Sequence, residues 1–245
     1  MVYKLSRYCG AGAAALARLP ERLLPARCLV CAEPGDDGLD LCQACRGTLP
    51  SEPHACHRCA LPLPPLPLPA AGLCGRCLRR PPPLDAARAA FVYGPPLDHL
   101  LLRYKFHHDL SAGRLLARLT AHAMAGCERP QALVPVPLHP RRLRQRGYDQ
   151  ALELARPLAR ILHLPLQAGL LQRVRPTLAQ SELDADARMA NLRGAFQARG
   201  RGAPPAHVAL VDDVMTTGAT LHAAAQALRR AGVARVDAWV CARTP

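Results

Sequence analysis

Eight of the eleven cysteines fall between residues 28 and 77 as four pairs of identical form: Cys28 and Cys31, Cys42 and Cys45, Cys56 and Cys59, Cys74 and Cys77. A Cys-x-x-Cys turn sets two thiolates on one face of a tight knuckle, and two knuckles complete a tetrahedral zinc site. Four pairs therefore predict two zinc ions per chain. Sequential pairing is expected, although a cross-braced arrangement would use the same residues. A disulfide framework would require export, and a thioredoxin-like redox motif would need one pair rather than four. With four cysteines at each metal no coordination position stays open, so the zinc is structural. His54 and His57 flank Cys56 as alternative ligands and otherwise read as exposed histidines. Cys9, Cys127 and Cys241 have no partner spacing and read as small apolar residues.

The segment 1–27 places Lys4 and Arg7 ahead of Ala-rich sequence. Arg18, Glu21 and Arg22 interrupt it, so it reads as a short amphipathic helix rather than a signal peptide. No other stretch approaches the ~18 uninterrupted apolar residues of a membrane span. A soluble cytoplasmic protein without membrane insertion is expected. The formal charge is +14, and all but Lys4 and Lys105 of the 32 basic residues are Arg. Such a balance suits polyanionic partners: nucleic acid, polyphosphate or an acidic membrane surface.

Prolines separate two textures. The stretch "ALPLPPLPLPAAG" after the third cysteine pair reads as a loop, and "PPPLD" at 81–85 as a linker. The cysteine module is thus set at 28–80 and a second domain at 86–245. In the second domain short apolar runs alternate with helical patterns: "ARAAFVYG", "ALVPVP", "HVALVDD" and "ARVDAWVCA" as strands, with "LDHLLLRYKF", "SAGRLLARLTAHAMAG", "DQALELARPLARILHL" and "GATLHAAAQALRRAG" as helices. Strands that are apolar throughout belong to parallel sheets covered on both faces. An α/β fold with right-handed crossovers follows. Trp239 and Phe91 lie in these strands and are expected in the core.

The stretch "ALVDDVMTTGAT" concentrates chemistry. Its apolar run delivers Asp212 and Asp213 to the carboxyl end of a strand, where open α/β sheets bind ligands. The residues Thr216, Thr217, Gly218, Ala219 and Thr220 form a tight turn into a helix. Backbone N–H groups there, with the positive end of the helix, make a phosphate cradle. A P-loop would need a lysine that is absent, and a receiver-type aspartate would not need this turn. A plain Asp turn with a Thr cap accounts for one Asp and one Thr, not the whole set. Two carboxylates beside a phosphate cradle suit a phosphorylated ribose.

These residues resemble the signature by which type I phosphoribosyltransferases bind 5-phosphoribosyl-1-diphosphate (PRPP). The resemblance implies that Asp212 and Asp213 hold the ribose hydroxyls and that residues 216–220 hold the 5′-phosphate, with Mg2+ accompanying PRPP. Together with "ALVPVPLHPRRLRQRGYDQALELARPLA", "QRVRPTLAQSELDADARMANLRGAF" and the four cysteine pairs, the chain over about residues 24–244 resembles the ComF family of competence-associated proteins. The implied fold is that of a type I phosphoribosyltransferase, a mainly parallel sheet flanked by helices, behind a small N-terminal zinc module. The family's Arg-Gly-Tyr/Phe-Asn-Gln appears here as "RGYDQ", with Asp149 in place of Asn. A carboxylate at that place would repel a diphosphate unless magnesium or Arg intervenes.

"VPVPLHPRR" resembles the loop that receives the diphosphate, which nominates Pro137 and Arg141. Arg142, Arg144 and Arg146 follow with no intervening acid. "RVRPTLAQ" stands where such enzymes carry a loop that closes over PRPP, which nominates Arg173, Arg175, Thr177 and Gln180. Lys105, one of two lysines in an Arg-using chain, reads as a position that needs a compact ammonium. Asp212, Asp213, Arg175 and Lys105 are therefore the candidate catalytic residues. One function consistent with all of this is phosphoribosyl transfer with inversion and loss of diphosphate. The other is binding of single-stranded DNA for uptake, with competence proteins as partners and PRPP as ligand or regulator. Base-stacking aromatics, which single-strand binders use, are scarce in the sequence.

Overall fold

A computed structural model describes residues 26–51, 54–64, 72–176, 192, 194–200 and 202–245. The expected N-terminal helix, most of the proline loop, and Thr177 and Gln180 lie outside these residues. The chain forms two compact units, Met1–Leu49 and Pro50–Pro245.

In the first unit Cys28, Cys31, Cys42 and Cys45 converge, with all four sulfurs within 4.8 Å of one another. The second pair opens helix α1 (Gln43–Gly47), where the Cys45 N–H donates to Cys42 Sγ at 3.4 Å. The second unit repeats the device. A bridge Arg27↔Pro34 recurs as Ala55↔Pro62, and Ala32 and Ala60, which follow the first knuckle of each, both have positive φ. The second cluster, Cys56, Cys59, Cys74 and Cys77, is equally tight, and helix α2 (Gly75–Arg79) follows Cys74. Sequential pairing is what the chain adopts.

The sheet follows from strands buried on both faces. Strands β1 (Ala86–Val92), β2 (Ala132–Pro135), β5 (His207–Met215) and β6 (Arg235–Arg243) form one parallel sheet in the order β1-β6-β5-β2. Two short strands not expected from the sequence, β3 (Leu171–Arg173) and β4 (Phe196–Ala198), pair antiparallel. Helices α3 (Leu97–Phe106), α4 (Leu110–Met124) and α6 (Gln150–Leu162) pack together, and α4 and α6 cover the sheet. Helix α7 (Ala219–Arg230) packs against β5, β6 and the β3–β4 pair. Along β5, Val208 and Leu210 join the α7 core of Leu221, Ala224 and Leu228, whereas Ala209 and Val211 have the opposite parity and fall outside that cluster. Successive side chains of a strand point to opposite faces, so the helical layers lie on the two sides of the sheet.

The basic stretch after β2 is helical rather than a loop: α5 spans Pro140–Arg146. His139 caps it by accepting the Arg141 N–H, and Pro140 at the first position is pre-set in φ for a helix. Gly147 ends it at φ 79, a left-handed conformation that favours glycine. Trp239 is buried in β6 as expected, and Cys241 is buried in the same strand.

Candidate functional site

The sheet makes the site by ending unevenly. The β2–β5 pairing stops at Pro135↔Val211, whereas β5 pairs with β6 as far as Met215↔Arg243. Asp212 and Asp213 thus lie inside β5, four and three residues from the point where the turn begins, not at its last residues as the sequence reading had it. The edge of β5 that β2 has left opens onto a cleft of about 280 Å³.

Strand alternation sends the two adjacent carboxylates to different faces. Asp212 continues the parity of Val208 and Leu210. Asp213 continues that of Ala209 and Val211, towards α3, and its Oδ2 is 3.1 Å from Lys105 Nζ. The lone lysine of this domain thus pairs with one of the acidic pair. Burial, with the neighbouring Asp213 carboxylate, pushes the Asp212 pKa up to about 8, against the opposing pull of the Asp213 N–H and of Lys105. An acid held near neutrality can exchange its proton when a cation or a hydroxyl arrives.

Beyond Met215 the chain turns through Thr216 and Thr217 into α7, whose N-cap is Gly218 at φ 80. A Cβ on Gly218 would stand 2.6 Å from Met215 Cε and 3.0 Å from His222 Nε2. Glycine is thus required both for the backbone angle and for the space. Burial pulls the His222 pKa down to about 4, with Arg76 and Arg243 adding to the effect, so this ring under the turn is neutral at physiological pH.

Arg76, from the helix after Cys74, and Arg243, from β6, hold the turn from behind. Arg76 donates from Nη2 to the Thr217 carbonyl at 3.3 Å. Arg243, buried at the end of β6, donates from Nε to the Cys59 carbonyl at 2.9 Å and from Nη1 to the Met215 carbonyl at 3.2 Å. One guanidinium thereby ties a zinc knuckle to the residue that precedes the turn. The sequence offered no signal for these two arginines, because their partners lie far away in the chain.

The opposite wall comes from the segment after β2. Pro137, Leu138, Arg142 and Arg146 line the cleft. The Leu138 N–H donates to Asp149 Oδ2 at 2.8 Å, and Asp149 Oδ1 accepts from the Leu152 N–H at 3.1 Å. Asp149 therefore caps α6 and ties the loop to it, a structural duty that an Asn side chain would share through its single carbonyl oxygen. Burial raises the Asp149 pKa in spite of these donors. Of the nominated residues, Lys105, Pro137, Asp212, Asp213, Thr216, Gly218, Ala219 and Thr220 line the cleft. Arg141, Thr217 and Arg175 are not in its lining; Arg141 points to solvent, and Thr217 lines a neighbouring cavity with Arg76 and His222. Arg173 does line it, 5.4 Å above the Phe196 ring, with its pKa drawn down to about 10 by burial and by Arg142.

The cysteine clusters fit zinc. Each offers four thiols, and N–H donors at Cys45 and Cys74 point at the sulfurs of Cys42 and Cys56, which suits thiolate ligands. For Mg2+ the donors are the hard oxygens of Asp212 and Asp213, which suit it in kind. Among the described residues no helix is long and apolar enough to cross a membrane.

A double zinc ribbon domain model matches residues 19–78, and a phosphoribosyl transferase domain model matches residues 149–245. The chain is 35% identical over 232 residues to the DNA utilization protein YhgH of Escherichia coli (strain K12), which covers 90% of this chain and 98% of that protein. It is 36% identical over 211 residues to competence protein F of Haemophilus influenzae, covering 83% and 90%. A more distant likeness, 30% over 149 residues, is to competence protein ComFC of Bacillus subtilis, covering 60% and 59%. With a double zinc ribbon ahead of a phosphoribosyltransferase domain, and near end-to-end similarity to the Escherichia coli and Haemophilus influenzae proteins, the chain belongs to the ComF family of competence-associated proteins.

Proposed function

We propose that the cleft binds PRPP with Mg2+ and transfers its phosphoribosyl group to an acceptor, releasing diphosphate. The observation that carries this reading is the presence of Asp212, Asp213 and the Gly218 turn on one cleft. In this reading Asp212 and Asp213 accept hydrogen bonds from the ribose hydroxyls. The N–H groups from Thr216 to Thr220 take the 5′-phosphate, aided by the helix dipole of α7. Arg142, Arg146 and Arg173 face the diphosphate, where fixed positive charge offsets what develops as the leaving group departs. Arg141 and Arg175 lie outside the cleft lining, and Pro137 shapes the wall. Lys105 acts on Asp213, holding that carboxylate in place and balancing its charge. Mg2+, when bound, neutralises the diphosphate.

The test is incubation with PRPP and Mg2+ and a panel of bases, nucleotides and DNA ends, with diphosphate release as readout. Acceptor-dependent release supports transfer; PRPP binding without release from any acceptor refutes it. A second reading, a single-stranded-DNA-binding protein for uptake that works with competence proteins and uses PRPP as regulator, is favoured by the Arg-lined wall and by what the relatives are named for. A steep salt dependence of DNA binding that PRPP alters, with no diphosphate release from any acceptor, would select it.

A further inference from the structure

The lining of the cleft also includes an aromatic side chain. Phe106, the last residue of α3, follows Lys105 and lines the cleft while remaining 60% exposed. Among the described residues it is the only exposed Phe, Tyr or Trp. The Arg146 guanidinium lies 5.5 Å from its ring centroid, and Arg142 lines the same wall. A second group awaits a partner inside. Gln150 is 3% exposed and lines this cleft, and its side-chain Nε2 has no hydrogen-bond partner among the described residues. A buried amide donor of this kind is expensive to leave unpaired.

We infer that Phe106 and Arg146 form a stacking seat for a nucleobase carried on phosphate, with the Gln150 amide donating to an acceptor atom of the ligand deeper in the cleft. A phenyl ring offers any base a π-face, and the arginines meet the phosphates that such a base carries. The inference rests on the phosphoribosyl reading in one respect: that reading gives Asp212, Asp213, the Gly218 turn and the wall arginines to PRPP, and it leaves the Phe106 ring and the Gln150 amide for a second molecule, whose phosphate shares Arg146. A mononucleotide and the end of a single strand share this chemistry.

Phe106→Trp provides the probe, because the only native tryptophan, Trp239, is buried. The zinc-loaded full-length variant is titrated with deoxyadenosine monophosphate, with a single-stranded deoxyadenosine oligonucleotide, and with an abasic oligonucleotide of equal length and charge. Stacking quenches the new indole with base-bearing ligands and not with the abasic one. Quenching by the monophosphate assigns the seat to a nucleotide, and quenching by the oligonucleotide alone assigns it to a strand. Phe106→Ala should bind the base-bearing ligand about tenfold to a hundredfold more weakly. Its binding of the abasic strand and its heat with PRPP should be unchanged, since this exposed ring supports no core. Equal affinity of Phe106→Ala and parent, or equal binding of abasic and base-bearing strands, overturns the seat. If Phe106→Trp shows base-dependent quenching and the parent shows no PRPP heat, the proposed transfer fails while the seat stands.

Discussion

Replacing Arg243 should loosen the second zinc site and the phosphate turn together. Arg243 is 6% exposed and donates to three main-chain carbonyls, those of Cys59 at 2.9 Å, of Met215 at 3.2 Å and of Thr244. In Arg243→Met the Met215 carbonyl keeps the Thr244 N–H at 3.1 Å, so it is not orphaned. Among the described residues no comparable main-chain donor replaces the one to Cys59. Leaving a buried acceptor unpaired costs ~1–3 kcal/mol, and the Cys59 carbonyl is only partly buried. Burial also holds the Arg243 pKa down, so removing the charge recovers part of its desolvation cost, and the net loss should fall in the lower half of that range. Arg243→Lys should behave similarly, because one ammonium on a flexible stem does not reproduce a fork that reaches three carbonyls. The assay is denaturant unfolding at constant slope, combined with the rate at which a chelator removes the second zinc and with calorimetry of ribose 5-phosphate. Lower stability, faster zinc release and weaker phosphate binding should appear together. Parent-like zinc release and phosphate binding in both variants would refute the coupling, whatever the stability.

Elemental analysis of reduced protein should find two zinc ions per chain, and Cys56→Ser should abolish one and destabilise the unit that carries the sheet, since metal binding supplies folding energy to such modules. Asp212→Asn and Asp213→Asn should each weaken PRPP binding by ~1.5–3 kcal/mol, roughly tenfold to a hundredfold, with the fold retained; parent-like binding isotherms would contradict the assignment. Because Asp212 is raised to about 8, its contribution to stability is complete below the ordinary carboxylate pKa and is lost as pH rises through about 8, while PRPP affinity should rise over that same upper range. Binding measured from pH 7 to 9 should show this rise in the parent and a flat profile in Asp212→Asn. Gly218→Val should lose ribose 5-phosphate binding more completely than either Asn variant, because a β-branched residue is strained at φ 80; circular dichroism checks that the fold persists.

The sequence alone determined the metal chemistry and the fold class. Cys-x-x-Cys spacing is local, so the ligand set of each zinc site was readable from the four pairs, and only which pairs meet waited for the structure. Uninterrupted apolar strands such as "HVALVDD" imply a sheet covered on both faces because burial is written directly into side-chain type. The carboxylates and turn from Asp212 to Thr220 were legible for the same reason: a strand end, a glycine and a helix start sit consecutively. Lys105 was legible only as an oddity of composition. The helical form of Pro140–Arg146 was hidden by its lack of apolar residues, although Pro140 and Gly147 stand where helix signals belong. What tertiary structure decided are the meetings between distant residues. It brought Lys105 to Asp213, Arg76 and Arg243 to the turn, Asp149 to the Leu138 amide, and Phe106 to the rim of the cleft, and it left Arg141 and Arg175 outside the lining. The physical reason is that hydrogen bonds and ion pairs depend on separations of a few ångströms, which sequence spacing fixes within one turn or knuckle and only packing fixes between elements.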